Sequence, residues 1–280
     1  MNIKIIRFRT LSKDFDKNLV SFFILEGSKN MQIIQIDNEH LIFQVEIFAG
    51  KEKNINTEKM LDKFRKFYPN KYIDIQLEKD IDFEEWKRMR LRSLSVGKFT
   101  FKPIFDKTEE DDSVIYLDTL VGAFGIDNHP TTIICLEMID KMEPKFKLAV
   151  DFGSGNGILS LALSRISKSP IIAIEIFYSY CLEIKHNCKI NNTENIIVLN
   201  SDSMKVIKEL DFLVSNVPLS VFADPNTNIL NSKFNKAVFS GIKIESKEEF
   251  INLLDKYNIE ILEIVEKEGW IGVITQKQGR

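Results

Sequence analysis

The first eighty residues show a pattern of apolar and polar positions that is complete in itself. Short apolar runs rich in β-favouring residues predict strands at residues 3–8, 31–36, 41–48 and 72–77. Apolar residues at helical spacing predict helices over residues 12–26, with Ser12 as the N-cap, and over residues 57–67. Residues 37–40 are few enough for a hairpin turn between the second and third strands. The order β-α-β-β-α-β predicts a small ferredoxin-like α+β domain over residues 1–79.

Strands and helices alternate from residue 119 to the end of the sequence, which is typical of a doubly wound α/β sheet. The pattern predicts strands at residues 148–152, 171–174, 196–199, 212–215 and 237–240, and helices at residues 157–166, 178–191 and 246–257. Two last runs, residues 259–265 and 270–275, are too close in sequence for a parallel crossover, so they should pair antiparallel. Five parallel strands closed by an antiparallel hairpin are the layout associated with class I methyltransferases, which have a Rossmann-like, seven-stranded sheet.

The stretch between these two regions, residues 80–118, has a less regular pattern. It predicts a helix over residues 83–94 and strands near residues 99–105 and 114–117. We interpret this stretch as a linker region between two unequal domains, residues 1–79 and 119–280. A length of 280 residues also favours more than one domain.

Composition and charge limit the classes of function. Hydrophobic residues make up 44% of the chain and charged residues 28%, which excludes a disordered protein. The net charge of -3 gives no global attraction to nucleic acid or membrane, so any basic surface must be local. One stretch without an acidic residue, Lys87 to Lys102, contains Lys87, Arg88, Arg90, Arg92, Lys98 and Lys102. Most of these charges should lie on a solvated helix face, and contact with phosphates is the alternative.

The cysteines and histidines predict neither a disulfide framework nor a metal site. The three cysteines form no C-x-x-C pair, as expected for reduced cysteines of a cytoplasmic protein: Cys135, Cys181 and Cys188. The three histidines have no metal-ligand spacing. No apolar run approaches the length of a membrane span.

A glycine-rich turn, Asp151-Phe152-Gly153-Ser154-Gly155-Asn156-Gly157, follows the first strand of the α/β region. Open α/β sheets bind ligands at such strand-to-helix junctions, and glycine lets a ligand approach without a Cβ in the way. Dinucleotide-binding enzymes use G-x-G-x-x-G, whereas here the third glycine comes one residue early and Ile158 follows it. The spacing favours S-adenosyl-L-methionine over NAD. It predicts cofactor contacts at Asp151, Gly153, Gly155 and Gly157.

Polar residues at the ends of the following strands support an adenosine-containing cofactor. Glu175 ends the second strand, where its carboxylate can accept from both ribose hydroxyls, a feature that NAD enzymes share. Asp202 follows the third strand and either accepts from the adenine amino group or forms a turn. Asn216 ends the fourth strand, where the transferred methyl would lie, and either accepts from an attacking amine or caps the next helix.

The segment upstream of the glycine turn, taken alone, is a loop that enters a helix near Asn128, with Pro130 in the first turn. Its sequence, Ala123-Phe124-Gly125-Ile126-Asp127-Asn128-His129-Pro130-Thr131-Thr132, resembles the A-F-G-T-G-T-H-P-T-T signature of the PrmA family. That family methylates protein eleven of the large ribosomal subunit. Further segments look like the same family: Val150-Asp151-Phe152-Gly153, Gly157-Ile158-Leu159, Ser240-Gly241-Ile242 and Val265-Glu266-Lys267-Glu268-Gly269-Trp270. The similarity covers nearly all of residues 80–280.

The resemblance implies an S-adenosylmethionine-dependent methyltransferase that acts on lysine side-chain or N-terminal amines of this ribosomal protein. It implies cofactor contacts at Thr132, Gly153, Glu175 and Asn216. It also implies that the N-terminal ferredoxin-like domain grips the substrate. A ribosomal target would bring RNA close to the basic stretch from Lys87 to Lys102.

Three segments depart from the family pattern. Ile126-Asp127-Asn128 replaces T-G-T, Glu175 replaces Asp, and Asn216-Val217-Pro218-Leu219 replaces N-I-L-A. The first and third lie on the acceptor side, where an amine must lose its proton before it attacks. We predict that Asp127 or Asn216 orients the neutral amine as a catalytic residue, and that desolvation lowers the pKa of the amine.

Two other functions remain open on the sequence. Asn216-x-Pro218 partly resembles the N-P-P-Y motif of glutamine and nucleobase amino-methyltransferases, although Leu219 stands in place of the aromatic residue. The alternative outside the enzyme class is a diverged, non-catalytic cofactor-binding module that acts through its N-terminal domain. Methyl incorporation into a ribosomal protein separates the three functions.

Overall fold

A computed structural model describes residues 2–11, 28–35, 40–49, 57–69, 74–108, 111–119 and 128–277 of the chain. The chain divides into two compact units, Met1–Arg90 and Leu91–Arg280. The predicted helix at residues 12–26, the turn before His40, and Asp127 lie outside the described residues.

The first unit contains a four-stranded antiparallel sheet. Its described elements are β1 (Asn2–Leu11), β2 (Ser28–Gln35), β3 (His40–Ala49), α1 (Thr57–Phe67), β4 (Asp74–Asp82) and α2 (Phe83–Arg90). The spatial order is β2-β3-β1-β4 with every neighbouring pair antiparallel, which confirms the ferredoxin-like sheet. Helix α1 buries Met60, Leu61 and Phe64 as its spacing predicts, whereas Phe67 in the last turn is exposed.

A small three-stranded sheet begins the second unit, with strands β5 (Leu94–Val96), β6 (Phe99–Pro103) and β7 (Val114–Leu117). The helix predicted over residues 83–94 ends at Arg90 instead. Gly97, with a left-handed φ of +54°, begins a two-residue turn that pairs Val96 with Phe99, so residues 94–96 are drawn into a strand. Strand β6 is also shorter than predicted, because Pro103 has no N–H to continue the ladder.

The rest of the second unit is a seven-stranded sheet. Its strands, β8 to β14 in chain order, are Ala149–Phe152, Ile171–Glu175, Ile196–Asn200, Phe212–Asn216, Lys236–Lys243, Ile259–Lys267 and Trp270–Lys277. Its helices, α3 to α7, are Pro130–Met142, Ile158–Ile166, Tyr178–Ile190, Leu219–Ala223 and Lys247–Lys256. The spatial order is β10-β9-β8-β11-β12-β14-β13. Strands β8 to β12 are parallel and β14 is antiparallel to both of its neighbours, which confirms the predicted layout.

Buried apolar side chains join the helices to this sheet. Every residue of β8 is buried, as expected for a central parallel strand. A cluster of aromatic rings with centroids 5.1–6.5 Å apart links β12 to α6 and α7: Phe222, Phe234, Phe239 and Phe250. Each such ring pair contributes about 0.5–1.5 kcal/mol beyond the burial of its area. The cluster therefore packs α6 and α7 against β12, which pairs with β11, the strand that carries Asn216.

The strand order determines where a ligand can bind. Strands β9 and β10 lie on one side of β8 within the sheet, and the chain then crosses to β11 and β12 on the other side of β8. Open α/β sheets bind ligands at such a switch point, outside the carboxyl ends of the strands. The glycine turn after β8, Glu175 at the end of β9 and Asn216 at the end of β11 all lie at this edge.

Candidate active site

The glycine turn after β8 is held by backbone hydrogen bonds. Gly153 and Ser154 both donate their backbone N–H to the carbonyl oxygen of Ile174 in β9, at 2.9 and 3.1 Å. The Ser154 hydroxyl donates to the carbonyl of Asp151 at 2.7 Å, and the Gly157 N–H donates to the carbonyl of Ser154 at 2.8 Å. The turn is therefore closed on itself and tied to the neighbouring strand before α4 begins.

Left-handed backbone explains why this turn needs glycine. Gly153, Gly155 and Gly157 have φ values of +76°, +56° and +85°, which L side chains rarely adopt. A Cβ on Gly153 would also collide with the side chain of Val217, and one on Gly157 would lie 3.1 Å from Cγ2 of Ile184. Gly153 thus allows the segment after β11 to approach the turn, and Gly157 allows helix α5 to pack against it.

Glu175 is buried at the end of β9, and its carboxylate holds the glycine turn. Oε2 accepts from the N–H of Gly155 and Oε1 from the N–H of Phe177, both at 3.0 Å. Burial raises the pKa of this carboxyl, and the hydrogen bonds from Phe177 and Gly155 oppose that shift. A carboxylate has about four acceptor positions, and the backbone N–H groups of Gly155, Phe177 and Ile176 do not use all of them. Glu175 can therefore hold the turn and still accept from a ligand hydroxyl.

Asp151 lies beneath the turn and is fully buried. Its Oδ2 accepts from the Ser160 hydroxyl at 2.6 Å, and no residue in the described part of the chain donates to Oδ1. Burial raises the pKa of Asp151 to about 7, against the opposing hydrogen bonds from Ser160. Neither Asp151 nor Gly157 lines the cleft described below, so both shape the turn from behind.

Asn216 and Thr132 meet across a separation of 84 residues in the sequence. The Asn216 Nδ2 donates to the Thr132 Oγ1 at 3.4 Å. Thr132 lies in the first turn of α3 and is only 1% exposed. Helix α6 has Pro218 as its N-cap and no side-chain capping bond, so the capping role considered for Asn216 is not observed. Among the described residues, none donates to the Asn216 Oδ1.

His129 and Trp270 form an aromatic wall that the sequence interpretation did not assign to the site. His129 is the N-cap of α3, and its Nδ1 accepts from the Thr131 N–H at 3.3 Å, which confirms the predicted entry into this helix. Its ring lies edge-on to that of Trp270, with centroids 5.0 Å apart. Trp270 begins β14, and an antiparallel strand begins at the edge where the parallel strands end. The predicted hairpin therefore contained the signal that could have found this residue.

A cleft of about 570 Å³ joins these groups at the carboxyl edge of the sheet. Of the residues predicted from the sequence, its wall contains Gly153, Gly155, Glu175, Asp202 and Asn216. Phe177, Tyr180, Val217, His129 and Trp270 add aromatic and apolar surface to the same wall. A concave site with an apolar lining and a few converging polar groups is typical of small-molecule binding.

Asp202 is exposed at this cleft, and its carboxylate forms no hydrogen bond within the described part of the chain. The Ser201 hydroxyl accepts from the Ser203 N–H at 3.1 Å and thereby closes the local turn. The turn-forming role considered for Asp202 is thus carried by Ser201. The other predicted catalytic residue, Asp127, lies outside the described residues.

The basic stretch from Lys87 to Lys102 is partly neutralised by acidic side chains. Lys87 is buried and forms an ion pair with Glu84 at 3.7 Å. Lys98 pairs with Asp140 at 3.4 Å and with Glu143 at 2.6 Å. Arg92 is exposed. A continuous basic surface would require all charges of this stretch to face solvent without acidic partners, and Lys87 and Lys98 do not meet this requirement.

Three other predictions concern cysteines, metals and membranes. All three cysteines are free and buried. Among the described residues, no group of His, Cys, Asp and Glu is arranged to hold a metal ion. No helix in the described ranges is long and apolar enough to cross a membrane.

The strand order, the glycine turn after β8 and the acidic residue that ends β9 define a Rossmann-like class I methyltransferase. The chain matches the family described as "Ribosomal protein L11 methyltransferase (PrmA)" over residues 19–278, and it belongs to this family. The ribosomal protein L11 methyltransferase of Dictyoglomus thermophilum is 26% identical over 291 residues, which cover 95% of this chain and 96% of the relative. That of Prochlorococcus marinus strain MIT 9515 is 29% identical over 275 residues, covering 91% and 87%.

A solved structure has the same fold. The ribosomal protein L11 methylase of Lactobacillus delbrueckii subsp. bulgaricus superimposes with a TM-score of 0.57 and 22% sequence identity. The match covers 65% of this chain and 96% of that one. At this identity the likeness concerns the fold, and it agrees with the strand order described above.

Proposed function

We propose that this chain transfers methyl groups from S-adenosyl-L-methionine to lysine side-chain or N-terminal amines of ribosomal protein L11. The observation that carries the proposal is that a single cleft contains Gly153, Gly155, Glu175 and Asn216. These residues come from the ends of three neighbouring strands. Membership of the L11 methyltransferase family supports the choice of acceptor protein.

The residues of the cleft fit this cofactor. The Glu175 carboxylate retains acceptor capacity for a ribose hydroxyl, and the exposed Asp202 carboxylate in the same cleft supports a contact with the adenine amino group. Phe177 and Tyr180 offer aromatic surface to the adenine ring. The glycine turn leaves room where a Cβ would stand. When bound, S-adenosylmethionine supplies an activated methyl group whose neutral thioether leaving group needs no acid.

Asn216 has the geometry to orient the acceptor amine. Its Nδ2 is held by Thr132, so its Oδ1 can accept from one N–H of a neutral amine and direct the nitrogen lone pair. Holding a nucleophile in near-attack geometry is the main contribution that a protein makes to such a displacement. The aromatic wall of His129 and Trp270 offers an apolar surface, and desolvation against it would lower the pKa of the amine. Asp127 is proposed as a second orienting residue.

The decisive experiment incubates the purified protein with labelled S-adenosylmethionine and unmodified ribosomal proteins, and locates the label by mass spectrometry. We expect label on lysine or N-terminal amines of L11. Calorimetric binding of S-adenosylmethionine without incorporation into any ribosomal protein would identify a non-catalytic module. Label on glutamine would identify the amino-methyltransferase that Asn216 and Pro218 partly resemble, and label on RNA added in a parallel incubation would identify its nucleobase form.

Contact with ribosomal RNA through the stretch from Lys87 to Lys102 is a further part of this proposal. Phosphate contacts make association depend on salt, and each lost contact reduces that dependence. We expect Arg92→Ala to lower the salt dependence of binding to the L11–RNA complex. Lys98→Ala is the matched control, because Asp140 and Glu143 already engage Lys98. Association that is insensitive to salt would contradict the contact. A ribosomal substrate also supports action in the cytoplasm.

A further inference from the structure

Asn187 in helix α5 and Asn191, the C-cap of the same helix, hold the extended segment at residues 114–119. The Asn191 Oδ1 accepts from the Tyr116 N–H at 2.8 Å, and its Nδ2 donates to the Tyr116 carbonyl at 2.7 Å. Four residues earlier, the Asn187 Oδ1 accepts from the Asp118 N–H at 2.9 Å, and its Nδ2 donates to the Asp118 carbonyl at 3.1 Å. The two amides thus pair with alternate residues of an extended segment, as a neighbouring strand would.

The Nδ2 of each asparagine also donates to a second carbonyl, which for Asn191 is that of Asn187 at 2.8 Å; only Asn187 reaches the glycine turn. The Asn187 Nδ2 donates to the carbonyl of Asn156 at 3.0 Å, and the whole residue is 0% exposed. Asn156 lies between Gly155 and Gly157 in the glycine turn and is itself fully buried. One amide therefore links the turn to the backbone of Asp118, which is 38 residues earlier in the chain.

The glycine turn is consequently held from two directions. Glu175 accepts from the N–H of Gly155, and Asn187 donates to the carbonyl of Asn156, the next residue. Between these two contacts the backbone adopts the left-handed conformation of Gly155, which lines the cleft. Loss of the Asn187 contact leaves the buried carbonyl of Asn156 without this donor, which favours a local rearrangement of the turn around Gly155.

We propose that Asn187 is a positioning residue for the glycine turn. It does not touch the cleft, and it acts by fixing the Asn156 carbonyl so that Gly155 keeps its place in the cleft wall. The part of this inference that concerns cofactor affinity rests on the proposed function. The part that concerns the rigidity of the turn does not.

The test compares Asn187→Ala with Asn191→Ala, a matched control that loses the same kind of paired contact with the segment at residues 114–119. Hydrogen exchange of the amides of residues 155–158, without ligand, measures the turn directly. Calorimetry with S-adenosylmethionine measures affinity, and initial rates give KM and kcat. We expect Asn187→Ala to exchange about tenfold faster in the turn and to bind the cofactor about tenfold more weakly, as for one lost hydrogen bond to a buried group. Its kcat at saturating cofactor should change little. Asn191→Ala should change exchange and affinity by less than about twofold.

Asn187→Asp is the second variant, in case the alanine variant does not fold. It keeps the shape and the acceptor for the Asp118 N–H, and it removes the donor to the carbonyls of Asn156 and Asp118. Exchange in the turn that matches the wild type in a folded Asn187 variant would overturn the proposal, as would failure of both Asn187 variants to fold. A wild-type protein that binds no S-adenosylmethionine would overturn the proposed function instead, while the exchange measurement still decides the role of Asn187.

Discussion

The two sides of the cleft are built in different ways. On the side that we propose binds the cofactor, called the cofactor side below, the glycine turn and Glu175 lie within 25 consecutive residues. Backbone N–H groups of the turn donate to the Ile174 carbonyl and to the Glu175 carboxylate at 2.9–3.1 Å. On the side that we propose binds the acceptor amine, called the acceptor side below, four residues come from three distant segments: Asn216, Thr132, His129 and Trp270. One side-chain hydrogen bond of 3.4 Å and one ring contact join them. The first side is encoded locally, whereas the second exists only once the sheet has formed.

This difference has a functional consequence that can be measured. Changes on the cofactor side alter a preorganised backbone, so they should weaken cofactor binding. Changes on the acceptor side alter the orientation of a side chain, so they should slow turnover and leave cofactor affinity nearly intact. The predictions below test whether the two effects separate.

The largest effect is expected for Gly153→Ala. The new Cβ would collide with Val217 and would occupy a backbone conformation with a φ of +76°. We expect a loss of roughly 100-fold in affinity for S-adenosylmethionine, or about 2.8 kcal/mol, measured by calorimetry. Gly269→Ala is the matched control, since Gly269 has a φ of +79° and open space around it. It should lose stability from backbone strain alone, and equal losses of affinity in both variants would contradict the argument.

Asn216→Ala should have the next largest effect, and of the opposite kind. Misplacing a nucleophile by about 1 Å costs on the order of 100-fold in rate, so kcat for L11 methylation should fall by about this factor. The Kd for S-adenosylmethionine should change by a smaller factor than kcat. Thr132→Val provides a graded comparison, because it removes only the hydroxyl that holds Asn216, and it should lower kcat by less. A variant that loses affinity as strongly as it loses turnover would place Asn216 on the cofactor side.

The glycine turn and its partner Glu175 could be placed from the sequence for the same reason that they form locally. Strand periodicity fixes the ends of β8 and β9, and parallel neighbours bring those ends together. Asp151 shows the limit of this reasoning. Successive strand residues point to opposite faces, and the cleft is lined by Phe152, while Asp151 is buried behind it.

The predicted hairpin already indicated that Trp270 lies at this edge, but its contact with His129 and the role of Asn187 could not be found by the same reasoning. His129 and Trp270 are brought together by an antiparallel strand whose position between β12 and β13 is not apparent in the spacing of apolar residues. Asn187 contacts residues 31 and 69 positions away through a side-chain amide, and no periodicity reports such contacts. The end of α2 at Arg90 was decided by the Gly97 turn, which overrides the helical pattern that continues to Leu94.

Glu175→Gln should weaken cofactor binding by about tenfold, because the free energy of one hydrogen bond to a charged group corresponds to about this factor. Glutamine keeps one acceptor oxygen and loses the other, so either the ribose or the N–H of Gly155 or Phe177 loses its partner. Asp202→Asn is the comparison, because Asp202 holds no part of the turn, and its effect on affinity should be smaller. Equal losses would show that the contact of Glu175 with the turn adds nothing to cofactor binding.

The smallest effect on cofactor affinity is expected for Asp151→Asn. This substitution should change the free energy of unfolding instead. The pKa of Asp151 rises from 3.8 to about 7 on folding because the carboxyl is buried. The folded state therefore holds a proton that the unfolded state releases, and stability is lost as the pH rises from about 4 to about 7. Asparagine is neutral throughout and can still accept from the Ser160 hydroxyl.

The free energy of unfolding of Asp151→Asn, relative to the wild type, should thus increase with pH by at most about 1.4 kcal/mol per unit over this range. It should stay constant above it. Urea titrations from pH 5 to pH 8 measure this difference, and a difference that does not vary with pH would show that Asp151 is already ionised in the folded protein. Cofactor affinity should change by less than about threefold, because Asp151 lies behind the wall of the cleft. A larger change would mean that the cofactor side extends beneath the turn.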